Sequence, residues 1–310
     1  MSPSRADRLR RLPLSAAFRA RGLAGRAARL AALRRETLRR WADRLRGRRA
    51  PRRHLTVCGV PRSGTSLLYN MLCATLDGFA FDRGERVTSS MLWRYEDRAS
   101  KSPADVFRAR DFERHNMHRK TIAMIVTVRD VRDVVTSRHP WAPDRYLIGY
   151  EGGYHFHGPA REREVYWDAS RGLEAYFTQI EALRRAPPCT LCLVRYEDLA
   201  RDPAAVQARL GRDLDLCFHG AFGDYHTRPE THAIRYASTS SHQDGAPGAA
   251  GGPVSTTRIG RWRLPEHRAR IRDQFTRFPA LFDLLAAYGY ETDTDWFAPY
   301  REAGPNRSRA

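Results

Sequence analysis

Lysine is almost missing from this chain: Lys101 and Lys120 are the only two among 54 basic residues, and arginine supplies the rest. So lopsided a choice records a GC-rich coding sequence more readily than a physical need for guanidinium at every site, and the arginine count by itself names no partner. Cysteine is scarce as well. Cys58, Cys73, Cys189, Cys192 and Cys217 form an odd, scattered set in 310 residues, a length that buries a core without covalent staples; this excludes a disulfide scaffold and fits a reducing compartment. The spacing Cys189-x-x-Cys192 lacks the second pair of a zinc site, and in a strand it sends the two thiols to opposite faces. No stretch reaches the ~18 consecutive apolar residues of a membrane-spanning helix. The N-terminus also lacks the apolar core of a secretory signal, so the expectation is a cytoplasmic protein. Histidines and acids nowhere fall at metal-ligand spacing, and no metal is expected.

What is present is positive charge gathered at one end. Residues 1–50 carry sixteen arginines against Asp7, Glu36 and Asp43, so +13 of the formal +19 lies there and +6 in the remainder. Leu23, Ala27, Leu30, Leu38, Trp41 and Leu45 recur at near-helical spacing, and segment 1–50 reads as an Arg-rich amphipathic helical arm. Such an arm docks on its own domain, lies peripherally on an anionic membrane, or holds nucleic acid, in that order of preference. From Arg53 onward strands (54–58, 122–128, 189–194) alternate with helices (about 65–77, 131–138, 161–186). Alternation of this kind predicts an α/β fold of three layers, α/β/α, around a central parallel sheet. The Ser, Gly and Ala-rich stretch 238–252 reads as a mobile loop, 264–290 as helix and 301–310 as a flexible tail, which leaves 51–300 as the main domain.

The octapeptide Gly59-Val60-Pro61-Arg62-Ser63-Gly64-Thr65-Ser66 follows the first strand and opens a helix. A loop so placed turns backbone N–H groups on an anion, and it is P-loop-like in spacing. Thr65, however, stands where the triphosphate pattern G-x-x-x-x-G-K-[ST] needs its lysine, and the nearest cation is Arg62. A donor held without metal suits this loop better than a nucleoside triphosphate does. Further on, Arg129 ends the strand 122–128 and Ser137 follows eight residues later. A planar guanidinium and a short hydroxyl at that spacing hold a second phosphate, or else simply make a charged strand-to-helix turn.

Pro61-Arg62-Ser63-Gly64-Thr65-Ser66 resembles the 5′-phosphosulfate loop of sulfotransferases that use 3′-phosphoadenosine 5′-phosphosulfate (PAPS), and Arg129 with Ser137 resembles their 3′-phosphate motif. Tyr196-Glu197-Asp198-Leu199 is similar to the family's run in which tyrosine contacts adenine. Thr257-Arg258-Ile259-Gly260-Arg261-Trp262-Arg263 resembles its late basic Gly-x-Trp-basic segment, which closes over the 3′-phosphate. Four motifs stand in the family's order between His54 and Tyr290. The resemblance implies transfer of a sulfuryl group from PAPS to an acceptor hydroxyl, with 3′-phosphoadenosine 5′-phosphate (PAP) as product. It assigns the donor to Arg62, Ser63, Gly64, Thr65, Ser66, Arg129, Ser137, Tyr196, Arg258, Gly260 and Trp262, with Arg62 also stabilising the leaving phosphate.

Gly84-Glu85 resembles the Gly-Glu of the tyrosyl-protein branch and makes Glu85 the candidate base, although an acid in such a loop also serves as plain surface. Lys101-Ser102-Pro103 resembles an element of carbohydrate sulfotransferases whose lysine lies near donor and acceptor, so the expected acceptor is a carbohydrate or glycolipid. The Lys-Thr-His of cytosolic members is absent. His155 and His157, in an aromatic loop, stand in reserve as bases. Two rivals remain open: another P-loop-like transferase such as a kinase, and a non-catalytic binder of anionic lipid or nucleic acid.

Overall fold

Three apolar runs form adjacent strands of a five-stranded sheet in the computed structural model, which describes residues 53–137, 148–151, 171–228 and 252–301 together with Leu38 and Ala42. These runs are β1 (Arg53–Gly59), β4 (Thr121–Val128) and β5 (Thr190–Arg195); β2 (Ala80–Phe81) and β3 (Arg98–Lys101) complete the order β2-β3-β1-β4-β5. All pairings are parallel. Alternate side chains leave opposite faces, and both faces are covered, as a parallel sheet requires. On one face Cys58, Met124, Val126 and Val128 meet Val134 of α2 (Val131–Val135), Phe177 and Ile180 of α3 (Leu173–Arg185), Phe275 of α6 (Arg268–Arg277) and Leu281 of α7 (Ala280–Ala287). On the other, Leu55, Val57, Ile125 and Val194 meet Leu68 and Leu72 of α1 (Thr65–Thr75), Leu199 of α4 (Tyr196–Arg201) and Leu210 of α5 (Pro203–Leu214). The predicted three-layer α/β/α architecture is what forms.

Cys189 packs against the first core and Cys192 lies in the second, the opposite-face placement their spacing predicts. Burial pushes both thiols up, Cys189 to about 11, so neither is poised as a nucleophile.

Other boundaries differ from the sequence reading, each for a local reason. β2 has two residues, and β3 reads Arg-Ala-Ser-Lys, so neither shows an apolar run. The helix expected over 131–138 stops at Val135, and Thr136 turns its hydroxyl back onto Arg132 O at 2.8 Å. The stretch 264–290 breaks into pieces at Leu264-Pro265 and Phe278-Pro279, where the residue before each proline is held out of the helical region. The arm 1–50 apart from Leu38 and Ala42, the residues 161–170, His155 and His157, the loop 238–251 and the tail 302–310 lie outside the described residues. Among those described, no helix is long and apolar enough to cross a membrane.

The strand order fixes where a site can form. After β1 the chain builds β2 and β3 on one side, then returns to add β4 and β5 on the other. The carboxyl ends of β1 and β4 therefore flank a switch point, the place where parallel sheets open a crevice for ligands.

Candidate functional site

At the end of β1, Gly59 has φ +129° and no room for a side chain: a Cβ there would sit 2.2 Å from Thr127 O on β4. The chain then turns. Val60 N donates to Thr127 O at 3.1 Å, and the fully buried Ser63 hydroxyl donates to Val60 O at 2.5 Å while lying 2.6 Å from the Thr127 hydroxyl. Ser63 thus fastens the loop to β4, its hydroxyl turned inward. Arg62 adopts the left-handed region with φ +67°, and its Nε donates to Ser137 Oγ at 3.0 Å. Gly64 caps α1 with φ +88°, no side chain caps that helix end, and no acid occupies the first turn. The positive end of the α1 dipole is consequently presented at the loop, with Thr65 and Ser66 on its first turn.

Gly64 also explains how a residue far along the chain joins the loop. A Cβ on it would come within 2.6 Å of Tyr196 Cδ2, so the Tyr196 ring lies directly against the loop backbone. Tyr196 opens α4 at the end of β5 and is held there by its neighbour. Buried Glu197 accepts from Asp130 N at 3.0 Å and from the Tyr290 hydroxyl at 2.9 Å, and burial raises its carboxyl above the usual range.

The Arg129 guanidinium, at the end of β4, lies 4.3 Å over the Tyr196 ring. It donates to Arg62 O at 3.3 Å and to Arg258 O, and pairs with Asp133 at 3.4 Å. Burial pushes the Arg258 guanidinium below its ordinary value; Tyr196 opposes this, and the cations Arg129 and Arg261 add to it. Among the described residues, Arg129 Nε and Arg258 Nε are both buried without a hydrogen-bond partner. Arg129 is buried and Arg258 half-buried, and two neighbouring guanidinium groups, each with a buried Nε donor left over, can together bind an anion.

Gly260, with φ +74°, turns the chain so that Trp262 enters the apolar core. There Trp262 is 3% exposed, with the Trp296 ring 5.1 Å away and the Arg132 guanidinium 4.1 Å over its face. The Trp262 ring, expected at the nucleotide, lies in the core and anchors the segment from behind. Gly260 and Arg258 remain at the site, joined to it through backbone contacts with Asp133 and Arg129.

Lys101 ends β3, in register with Val57 of β1, so it stands on the same carboxyl edge of the sheet as the loop. Its side chain is 1% exposed and its ammonium donates to the Glu85 carboxylate, which is 57% exposed. Arg86 N donates to Lys101 O at 2.9 Å, laying the Glu85 turn along β3. The sequence-predicted Glu85 and Lys101 therefore meet. His115 is exposed and His118 is turned to Trp93 O at 2.9 Å, so neither joins them. Among the described residues, no cluster of His, Cys, Asp or Glu could hold a metal.

Thr127, Asp133 and Glu197 were not picked out from the sequence. For Asp133 a signal existed, since an acid four residues after Arg129 faces it across a helical turn.

The sulfotransferase domain family matches residues 52–220, a span that holds the loop, Glu85, Lys101, Arg129, Ser137 and Tyr196 and stops before Arg258. Among solved structures, mouse sulfotransferase SULT7A1 complexed with PAP is similar, at 14% identity and a TM-score of 0.38, covering 82% of this chain and 89% of that one. A search of curated proteins found no match.

Proposed function

The chain belongs to the sulfotransferase family, and from that premise we propose that it transfers a sulfuryl group from PAPS to a hydroxyl of a carbohydrate or glycolipid. One observation supports the donor: among the described residues, Arg129 Nε and Arg258 Nε are buried donors without partners, beside a loop that already offers a helix N-terminus. PAPS carries a phosphate at the 3′ position and a phosphosulfate at the 5′ position, so two anion sites around one aromatic residue match its chemistry. The loop backbone from Ser63 to Ser66 would take the 5′ group, Arg129, Ser137 and Arg258 the 3′-phosphate, and Tyr196 the adenine.

In the reaction the acceptor oxygen bonds to sulfur as the S–O bond to phosphate breaks. That electron pair goes to the phosphate oxygen, where Arg62 neutralises the growing charge, and the acceptor proton passes to the Glu85 carboxylate. Lys101 holds Glu85 on the edge of the sheet. The sugar class rests on the Lys101-Ser102-Pro103 element.

Calorimetry with PAP and AMP tests the donor, because the two differ only in the 3′-phosphate. A charge-assisted contact predicts PAP binding about tenfold to a hundredfold tighter, and equal affinities would remove the assignment. Radiolabelled PAPS offered with oligosaccharides, glycolipids and tyrosine peptides tests the acceptor. Label in the sugar fractions is expected; label confined to peptide would move the acceptor to protein.

A further inference from the structure

Buried Asp133, on α2, accepts from Gly260 N at 2.8 Å with Oδ2 and from Trp262 N at 3.1 Å with Oδ1. The same Oδ2 lies 3.4 Å from Arg129 NH2. One carboxylate therefore fixes three things: the backbone turn that follows Arg258, the tryptophan that anchors that turn, and the guanidinium that ends β4. Arg129 in turn donates to Arg258 O, closing a ring of contacts from β4 through Asp133 to residues 258–262 and back. Among the described residues, no other carboxylate touches the two amides. Gly260 and Trp262 lie in short helical turns whose own geometry offers their N–H groups no backbone acceptor, so the carboxylate is what satisfies them.

From this geometry we infer that Asp133 is the positioning residue for 3′-phosphate recognition: it sets the separation of the Arg129 and Arg258 guanidinium groups, and thereby the preference for a nucleotide phosphorylated at the 3′ position. The inference rests on the donor reading above and assigns its selectivity to a residue that need not touch the nucleotide. Electrostatics alone would work against Asp133, since an acid beside Arg129 offsets charge that a phosphate wants. Its presence is explained by order. Neighbouring cations repel, and a carboxylate bound to the backbone of one segment and the side chain of the other holds them at a fixed spacing before any anion arrives.

The test compares PAP with AMP by calorimetry on the full chain, wild type against Asp133→Asn. The amide keeps the size of the carboxylate but has a single acceptor oxygen, so one of the two backbone donors loses its partner. AMP affinity should change by less than about threefold, whereas PAP affinity should fall by about tenfold, the usual weight of a charge-assisted hydrogen bond. The PAP-to-AMP ratio is the readout, because a loss of general stability weakens both nucleotides together. A ratio in Asp133→Asn equal to or above that of the wild type overturns the inference. Should the wild type itself show no preference, the donor reading falls instead, and the two failures are distinct.

Hydrogen exchange on the nucleotide-free wild type provides a check that needs no variant. The amides of Gly260 and Trp262 should exchange slowly, as donors to a buried acceptor. Exchange at the rate of open backbone would overturn the inference even if Asp133→Asn failed to fold.

Discussion

A lysine buried against a half-exposed carboxylate is a costly arrangement for one charged side chain, because the ammonium loses water and keeps a single strong partner. This shapes the variant that tests Glu85. Truncation to alanine would strand the Lys101 ammonium, whereas Glu85→Gln keeps an acceptor oxygen for it and removes only the basic carboxylate. Turnover should drop by ~10²–10⁴, the usual worth of a positioned base, with PAP affinity unchanged. Arg62→Ala should lower both, since in the proposed reaction its guanidinium meets the donor before and during the transfer. Single-turnover rates set beside calorimetry separate the two, and a Glu85→Gln protein working near the parental rate would send the search for a base to His155 and His157. At this scale the sequence showed which residue types gather, but not where they point. Ser63 sits in a phosphate-loop pattern, yet its hydroxyl is spent on Val60 and Thr127; Trp262 sits in a nucleotide-binding pattern, yet its ring is spent on the core. Side-chain direction in both cases is set by partners on other elements, which no local pattern contains.

The elements around the loop tolerate little substitution because backbone and ring are in direct contact. Gly64 combines a left-handed φ of +88° with a position where a methyl group would overlap Tyr196. Gly64→Ala should destabilise the protein by about 1–3 kcal/mol through backbone strain, and displacement of Tyr196 should weaken AMP as much as PAP. Thermal unfolding and calorimetry would show this; an unchanged melting temperature together with parental AMP affinity would mean that loop and ring are not packed as described. The same contrast explains which elements were legible beforehand. β1, β4 and β5 announce themselves as apolar runs because both of their faces are covered, and α1 follows from the loop. β3 stayed hidden because its inward positions carry Ser100 and Lys101, which join a polar network and the Glu85 pair in place of an apolar core.

Seen as a whole, the sheet carries apolar cores on both faces, with a polar seam inside one of them. His54 Nε2 lies 2.9 Å from Ser100 Oγ, the Ser100 and Thr88 hydroxyls are 2.9 Å apart, and Thr88 donates to Asp105 at 2.7 Å. Burial, aided by Lys120 and Arg98, depresses His54 to about 3. The unfolded chain then takes up this proton near pH 6.5 while the folded protein refuses it until about pH 3, so stability falls as pH drops between those values, by up to about 1.4 kcal/mol per pH unit. Burial raises the Asp82, Asp105 and Glu197 carboxyls, and these act in the opposite sense just above the ordinary carboxylate range. His54→Gln should isolate the histidine contribution: its unfolding free energy between pH 6.5 and 4.5 should decline less steeply than the wild type's, and identical slopes would refute the burial of a neutral imidazole. The fold class and the order of the motifs were readable because they depend on local runs; the Asp133 tie that holds the late segment in place was not, because Asp133 and Trp262 meet across 129 positions of chain. That span has a consequence for the making of the protein. A ribosome delivers the loop, the sheet and Arg129 before it delivers Arg258, so in the proposed reading a growing chain holds only part of the donor's anion contacts. Nucleotide should then stabilise the finished molecule most, and PAP should protect a product truncated before residue 258 from proteolysis less than it protects the full chain.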